Sequence, residues 1–319
     1  MSEPQPVRST TPHERPGRRR IVHDASPWQL GGLTLRELGR RVWANTQNEN
    51  LLNEAAALSY YFIFSLFPAF LFIMALLAII PVPQLKDGLM GYIADLLPPD
   101  AASVVTKTVQ EVLRGGGHGL LSIGAILALW SASSAMSSVM DALNVAYEVE
   151  DSRPWWKRRL TAILLTVSFS LLLVLGLILM MFGPMIGQAI GRPFGAGPIA
   201  IEIWNVVSVP IALLLVLTGI SLVYYLAPDV EQRWQWVTPG AVFAVTAWVL
   251  MSLGLRFYTT HFANYNATYG SIGGIILLLL WLYLTGVVLL AGAEINSEIE
   301  QAAARRGEPT AKAAGEKAA

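Results

Sequence analysis

The feature that most constrains this chain is a set of six long stretches that lack any charged side chain. Each has at least 22 consecutive residues without Asp, Glu, Lys or Arg, and together they hold 174 of the 319 residues: 55–85, 115–140, 160–191, 203–228, 234–255 and 257–293. A helix crosses the hydrocarbon core of a bilayer with about 20 apolar residues. The pattern excludes a soluble globular protein. It also excludes an outer-membrane barrel, whose strands alternate over about 10 residues.

We therefore predict an all-α integral membrane protein with a six-helix bundle over residues 33–300. The predicted spans are about 55–80, 120–140, 160–182, 203–226, 240–257 and 271–291. The charged segment 81–119 predicts a helical outer loop between the first two spans. Residues 1–32 and 301–319 are predicted to be disordered cytoplasmic tails, because they are rich in Pro and Arg or in Ala, Lys and Glu.

The orientation is predicted from the basic residues in the loops. With the N-terminus inside, the cytoplasmic segments carry 17 Lys and Arg and the outer loops carry 4. Cytoplasmic loops of membrane proteins are enriched in these residues. This distribution predicts a multi-pass protein of the bacterial inner membrane with both termini in the cytoplasm.

A helix is predicted to begin at Thr34. The run Thr34-Leu35-Arg36-Glu37 has the form of a capping box, in which the Thr hydroxyl and the Glu carboxylate each satisfy a backbone N–H. Apolar and basic residues fall on different faces: Leu35, Leu38, Val42 and Trp43 against Arg36, Arg40 and Arg41. The pattern fits an interfacial amphipathic helix on the membrane surface. It fits equally well a helix packed on the protein's own cytoplasmic side.

Polar residues at helical spacing mark one face of each of the first two spans. They are Glu54, Tyr61, Ser65 and Pro68 in the first span, and Ser134, Ser138 and Asp141 in the second. Polar groups are costly in hydrocarbon, so we expect these side chains to face the bundle interior. They are a candidate polar pathway; close helix packing by small residues is the alternative. Pro68 is either a hinge or a kink satisfied by neighbouring helices.

A second candidate site lies on the outer side. Arg256, Tyr265, Asn266 and Tyr269 are candidates for binding an anionic ligand or a lipid headgroup, although Arg256 also fits a salt bridge or a snorkelling side chain. Gly270 and Gly274 have the spacing of a close helix contact. At the inner boundary, Glu54 and Glu294 are expected to reach water, which keeps their ionisation inexpensive.

The composition gives no support for several kinds of chemistry. The chain has no Cys, four scattered His, no phosphate-binding Gly-x-x-x-x-Gly-Lys-Ser/Thr run and a net charge of zero. We therefore predict no metal, no cofactor, no nucleic-acid partner and no enzymatic activity. The expected partners are the phospholipid bilayer and an unidentified small-molecule or lipid substrate, and self-association into a homo-oligomer stays open.

Several separated motifs resemble the YihY/virulence factor BrkB family of bacterial inner-membrane proteins. The first span contains 53-NEAAALSYY-61 and 64-FSLFP-68, the middle of the chain has Asn144 to Tyr147 and 153-RPW-155, and the end has 239-PGA-241, 269-YGS-271, 281-WLY-283 and 292-GAEIN-296. The resemblance implies six membrane helices with cytoplasmic ends. Its members have carried both a ribonuclease label and a transporter label.

Three functions follow from these patterns. The first is a transporter or permease whose site lies between the first, second and sixth spans. The second is a non-transporting envelope or lipid-interacting protein. A membrane-bound ribonuclease is the least supported, because the sequence shows no cluster of metal ligands and no basic groove.

Overall fold

The structure is a computed structural model that describes residues 26–48, 50–79, 118–191, 198–230, 232, 234, 236–261 and 271–306. All regular secondary structure in these residues is helical. A 3₁₀ helix covers Pro27–Gly32, and seven α-helices follow: α1 (Leu35–Asn48), α2 (Leu51–Ile79), α3 (His118–Ala146), α4 (Trp155–Gly191), α5 (Pro198–Leu226), α6 (Pro239–His261) and α7 (Ser271–Arg305).

Among the described residues, four helical segments are long and apolar enough to cross a membrane: Trp155–Met180, Glu202–Leu226, Pro239–Thr259 and Gly273–Arg305. The segment Leu51–Leu66 of α2 is a shorter apolar stretch. The prediction of an all-helical membrane protein is confirmed for the described residues. The six-span count stays a prediction, and so does the helical outer loop, because residues 80–117 lie outside the described part of the chain.

Helix α1 begins where the capping box places it. The Thr34 backbone N–H donates to the Glu37 carboxylate at 3.0 Å, and the Glu37 N–H donates to the Thr34 hydroxyl at 3.3 Å. The Thr34 backbone N–H and the Thr34 hydroxyl both donate to the Glu37 carboxylate, and these two hydrogen bonds hold the pKa of Glu37 below its ordinary value. The chain then turns into α2 through Asn50, whose φ of 54° is left-handed, a conformation that Asn tolerates.

The last helix is longer than its predicted span, and its end is covered by the N-terminal segment. Helix α7 continues to Arg305, and the 3₁₀ helix, which falls within the predicted N-terminal tail, packs against it. A Cβ on Gly31 would lie 3.0 Å from the Cβ of Ala302, and Arg306 donates to the Gly32 carbonyl at 2.6 Å. Leu38 of α1 is also buried. Residues 292–302 of α7 are therefore buried or half-buried, and the helix becomes exposed at Arg305.

The core lies at one end of the bundle, which we call the basal end: the end where α2, α4 and α6 begin and α3 and α5 finish. Its largest fully buried apolar side chains are Leu51, Leu58, Met140, Leu143, Leu165, Tyr224 and Leu290. A hydrogen bond joins two helices of this core: the Tyr224 hydroxyl donates to the Leu289 carbonyl at 2.7 Å. A Cβ on Gly286 would lie only 3.1 Å from the Ala55 carbonyl oxygen. The helices are thus most tightly joined at the basal end.

Candidate functional site

The polar face predicted on α2 does not form one buried surface. Tyr61 is 48% exposed, whereas Glu54, Ser65 and Pro68 are half-buried. The Ser65 hydroxyl donates to the Phe62 carbonyl of its own helix at 3.0 Å. Local bonding therefore satisfies Ser65 without a neighbouring helix.

The polar face predicted on α3 contacts two arginines of α4. Arg158 pairs with Asp141 at 2.5 Å, and Arg159 donates to the Ser134 hydroxyl at 3.3 Å. The Arg159 guanidinium also lies over the Trp130 ring, 3.9 Å from its centroid. Ser138 is half-buried and donates to the Ser134 carbonyl at 3.3 Å.

The expectation that this whole face points into the bundle does not hold for Tyr61, Ser134 and Asp141, which are exposed. The reason is the position of α4. Its first turn places Arg158 and Arg159 alongside α3, so charged and hydrogen-bonded partners solvate these groups at the helix surface. That this face lines a polar pathway stays a prediction.

The candidate residues on the outer side are only partly described. Tyr265, Asn266, Tyr269 and Gly270 lie outside the described residues. Arg256 and Gly274 are both exposed. A Cβ on Gly274 would meet no atom within 4 Å, so the close packing predicted there is not found. Tight glycine contacts occur instead near the basal end, at Gly240, Gly286 and Gly292, and between α4 and α5 at the other end, where a Cβ on Gly183 would lie 2.9 Å from the Ser208 hydroxyl oxygen.

A hydrogen-bonded clasp joins the turn between α3 and α4 to the end of α5; it consists of Asn144, Asp151, Ser152, Arg153 and Asp229. Arg153 donates to both oxygens of Asp151 at 2.9 Å, and to the carbonyls of Leu226 and Ala227 at 3.2 and 2.8 Å. Asp229 accepts from the Ser152 hydroxyl at 2.6 Å. The clasp therefore ties together segments that are more than 70 residues apart.

The same clasp sets the charge of Asp151. Its partial burial raises the pKa, but the hydrogen bonds from Arg153 and the charges of Arg153 and Arg158 outweigh burial and hold the pKa below its ordinary value. Asn144 completes the clasp, because its side-chain oxygen accepts the Asp229 N–H at 2.8 Å. Asp151 therefore remains ionised in the folded protein at neutral pH.

A second polar group, the basal carboxylate cluster, consists of Glu294 and Glu298 on α7 with Arg41 and Asn45 on α1. The two carboxylates are only 1% and 3% exposed. The Asn45 amide donates to Glu294 at 3.0 Å and to Glu298 at 2.8 Å. Arg41 pairs with Glu298 at 3.4 Å. Helix α1 thus covers both carboxylates.

The expectation that Glu294 reaches water is wrong. It assumed that α7 ends at the membrane surface, but the helix continues and the N-terminal segment covers it. One carboxylate oxygen of Glu294, Oε2, is buried and has no hydrogen-bond partner in the described protein. A buried carboxylate oxygen without a partner is costly and is a recognised mark of a functional site.

Tyr147 and two amides extend the cluster toward α6. Burial raises the pKa of the Tyr147 hydroxyl, the charges of Glu300 and Glu294 raise it further, and the amides of Gln232 and Asn296 oppose them. Tyr147 is therefore neutral at ordinary pH. Asn296 accepts from the Gly240 N–H at 2.9 Å and donates to Thr238 at 3.1 Å, which fixes the start of α6 beside α7.

Sequence reasoning missed Asn45, Tyr147 and Glu298 as members of this site. A signal was available: Glu294 and Glu298 are four residues apart and so share one helical face. The two carboxylates can form a buried site only if α7 continues past the membrane. The hydropathy pattern did not show that it does. In the described part of the chain, no group of three His, Cys, Asp or Glu side chains is arranged to hold a metal ion.

The fold and these buried polar groups define a multi-pass helical membrane protein. The chain belongs to the virulence factor BrkB family, whose family profile matches residues 42–316. The resemblance noted in the sequence is confirmed.

Relatives named as membrane proteins or as ribonuclease-like support this assignment. The chain is 39% identical over 245 residues to the ribonuclease-like protein YfkH of Bacillus subtilis, covering 77% of this chain and 88% of that protein. It is 28% identical over 275 residues to UPF0761 membrane protein Smlt0865 of Stenotrophomonas maltophilia, covering 82% of this chain. The chain spans 60% of the length of that second protein. No solved structure matches the chain.

Proposed function

We propose that this protein is a permease or exporter of a small molecule or lipid in the bacterial inner membrane, with both termini in the cytoplasm. The observation that carries the proposal is the buried, incompletely bonded Glu294 carboxylate on a helix that is long and apolar enough to span the membrane. Glu294 lies just beyond the predicted span, where protein and not lipid buries it, and a buried carboxylate oxygen without a partner is costly enough to point to a ligand or a pathway. A helix bundle with a purely structural role gains little from burying it.

The basal carboxylate cluster lies where a pathway between α2, α3 and α7 would open to the cytoplasm. These three helices contact one another, and α2 carries Pro68 within a continuous helix. A proline inside a helix removes one backbone donor and so leaves a carbonyl available to a ligand. We propose that substrate passes between these helices and that α1 covers the inner opening.

The test combines a search for the substrate with a flux measurement. Metabolites and lipids are compared between cells that lack and cells that overproduce the protein, and the compound that changes is then assayed in proteoliposomes. We expect Glu294→Gln to lower flux about tenfold at normal protein levels, because buried ionisable groups of membrane helices act directly on the transport path. Arg36→Gln, an exposed change on α1, is the control. Equal flux in empty liposomes contradicts the proposal.

A non-transporting, lipid-interacting role is the second candidate, and exposed aromatic residues favour it. Leu35 and Trp43 of α1 are 77% and 70% exposed, although Leu38 of the same helix is buried against the protein. Trp155 and Trp156 are also exposed, and Lys157 lies over the Trp156 ring. We propose that α1 lies at the interface, with Leu35 and Trp43 toward lipid and Asn45 toward α7. A lipid change in cells without any flux favours this role.

We propose that the protein is not a ribonuclease. The ribonuclease-like name of the Bacillus subtilis relative is the reason to test it. We expect purified protein to cleave RNA no faster than a mock preparation with or without divalent metal. Cleavage that copurifies with the protein and is lost in His118→Ala or His261→Ala contradicts this expectation.

The proposed orientation has its own test. Reporter fusions at Gly115, Gly195 and Asn264 should report the outside, and fusions at Glu150, Arg233 and Gly307 the inside, because of the bias in basic residues. An inside signal at Gly115 contradicts six spans.

A further inference from the structure

We infer that Glu294 is the carboxylate of a binding site for a small monovalent cation, either a proton or an alkali ion, beneath α1. The inference deepens the proposed permease function, since it names the charge carried by the same site. Cation binding can be measured without transport, so either proposal can fail alone.

The charge balance around Glu294 is the first argument. Glu298 lies one helical turn away on α7, and Arg41 is the basic side chain that pairs with this cluster, at 3.4 Å from Glu298. Among the described residues, the other ionisable groups near this cluster are acidic or phenolic, apart from Arg305, which donates to Gln301: they are Glu148 and Tyr147 after α3 and Glu300 on α7. Two buried carboxylates therefore share one guanidinium.

The cost of that imbalance is the second argument. An isolated buried carboxylate loses several kcal/mol of hydration, so buried charges in proteins are paired or neutralised. Asn45 donates to Oε1 of Glu294 but not to Oε2. A proton or an alkali ion at Oε2 would supply the missing positive charge.

The distribution of other unpartnered atoms is the third and independent argument. Five buried side-chain atoms in the described protein have no hydrogen-bond partner, and three of them belong to Glu294, Tyr147 and Gln232. Tyr147 is 6% exposed. The charge of Glu294 and the side-chain amides of Gln232 and Asn296 all act on its hydroxyl. The unpartnered Tyr147 hydroxyl is thus near enough to Glu294 for the charges to interact, and the unpartnered Gln232 amide lies beside Tyr147. Such an arrangement is typical of a site whose ligand completes the bonding.

The ligand set favours a single positive charge. Calcium takes six to eight oxygen ligands, usually with several carboxylates. No described group of three acidic or histidine side chains is placed for a metal of that kind. One carboxylate with a neutral phenol and neutral amides suits a proton or an alkali ion.

The experiment follows thermal unfolding of the purified full-length protein in detergent by tryptophan fluorescence. In the first series, NaCl or KCl replaces choline chloride at constant ionic strength and pH 8. In the second, pH is lowered from 8.5 to 5.5 in choline chloride alone. We expect one of the two series to raise Tm by about 3 °C. A response to salt identifies an alkali ion, and a response to acid alone identifies a proton.

The variants separate Glu294 from every other titrating group. Glu294→Gln is neutral and nearly isosteric, so we expect it to abolish that part of the response and to raise Tm in choline at pH 8. Glu202→Gln is the matched control, an exposed carboxylate at the start of α5, far from this cluster; the response should persist in it unchanged. A wild-type Tm that is constant in both series overturns the inference. An unchanged response in Glu294→Gln also overturns it.

A second variant keeps the inference testable if Glu294→Gln does not fold. Tyr147→Phe removes one hydroxyl from the site and leaves the carboxylate in place. We expect it to shift the midpoint of the salt or acid response about tenfold in cation concentration. A shift of that size corresponds to the loss of one hydrogen bond to a charged partner. An unmoved midpoint overturns the inference.

Discussion

The basal end of the bundle and its opposite end are held together in different ways. At the basal end, directed hydrogen bonds and close contacts connect helices that are distant in the sequence, as Arg153 connects the α3–α4 turn to Leu226 and Ala227. Toward the other end, the apolar residues Leu250, Leu253, Ile275 and Ile276 are exposed. Among the described residues, the polar bonds between segments distant in the sequence are therefore concentrated at the basal end, while toward the other end Trp204 donates to the Gly183 carbonyl at 2.7 Å.

The physical reason lies in the solvent. Lipid is as apolar as a leucine side chain, so burying one apolar helix face against another gains little in a membrane. Close contact and polar bonds must select the packing instead. Both occur where Tyr224 reaches the Leu289 carbonyl and Gly240 approaches α7. The exposed apolar residues elsewhere need only be apolar enough to contact lipid; they do not have to fit a particular neighbouring helix.

The largest expected effect comes from breaking the clasp at Arg153. Arg153→Met should lower stability by about 3 kcal/mol, because it removes the guanidinium that pairs with Asp151 and Asp229 and that donates to two backbone carbonyls. Denaturant unfolding in detergent measures the change. Arg36→Met, an exposed change at the start of α1, should have no measurable effect. Equal stability of the two variants would show that the basal end is not specially bonded.

Adding one methyl group should have opposite effects at the two ends. A Cβ on Gly240 would lie 2.7 Å from the Asn296 amide, whereas a Cβ on Gly254 would meet nothing within 4 Å. We expect Gly240→Ala to cost about 1–3 kcal/mol through overpacking. Gly254→Ala should stabilise by about 0.5 kcal/mol, because Ala is the better helix former. Thermal unfolding of the pair measures both signs, and a shared sign contradicts the comparison.

Acid should weaken the clasp through Asp151. Its pKa is lowered in the folded protein, since the bonds and charge of Arg153 outweigh burial. A carboxylate of this kind contributes stability above its unfolded pKa of about 3.9, and that contribution is lost as pH falls through the lower folded pKa. We expect Tm to fall below about pH 4 and the fall to be shallower in Asp151→Asn.

The acid measurement can also contradict a role for Asp151 in stability. Asp151→Asn should also start from a lower Tm at pH 7, because the amide cannot carry the charge that pairs with Arg153. Parallel pH profiles for wild type and variant would show that Asp151 does not contribute to the acid dependence.

The sequence predicted those features that depend on local pattern. The helical character of the membrane segments follows from runs of apolar residues, and the start of α1 follows from Thr34 and Glu37 alone. Both are properties of neighbouring residues, so no tertiary structure is needed to recognise them.

The candidate site depended on contacts that no local pattern contains. Asn45 meets Glu294 and Glu298 across 249 and 253 residues, and only the return of α1 onto α7 buries these carboxylates. In the same way, the exposure of Asp141 follows from the position of Arg158 on another helix. A face predicted from spacing alone could not show which neighbour would occupy it.

The smallest expected effect concerns the capping box of α1, which sharpens the comparison because it is exposed and local. Thr34→Ala removes the hydroxyl that accepts the Glu37 N–H and leaves the contacts of Asn45 with α7 in place. We expect amide exchange in the first turn of α1 to rise about fivefold, with global Tm nearly unchanged. Hydrogen exchange resolved by mass spectrometry measures the first, and thermal unfolding measures the second. A large fall in Tm would contradict this and show that the start of α1 is as important for the fold as the basal end it covers.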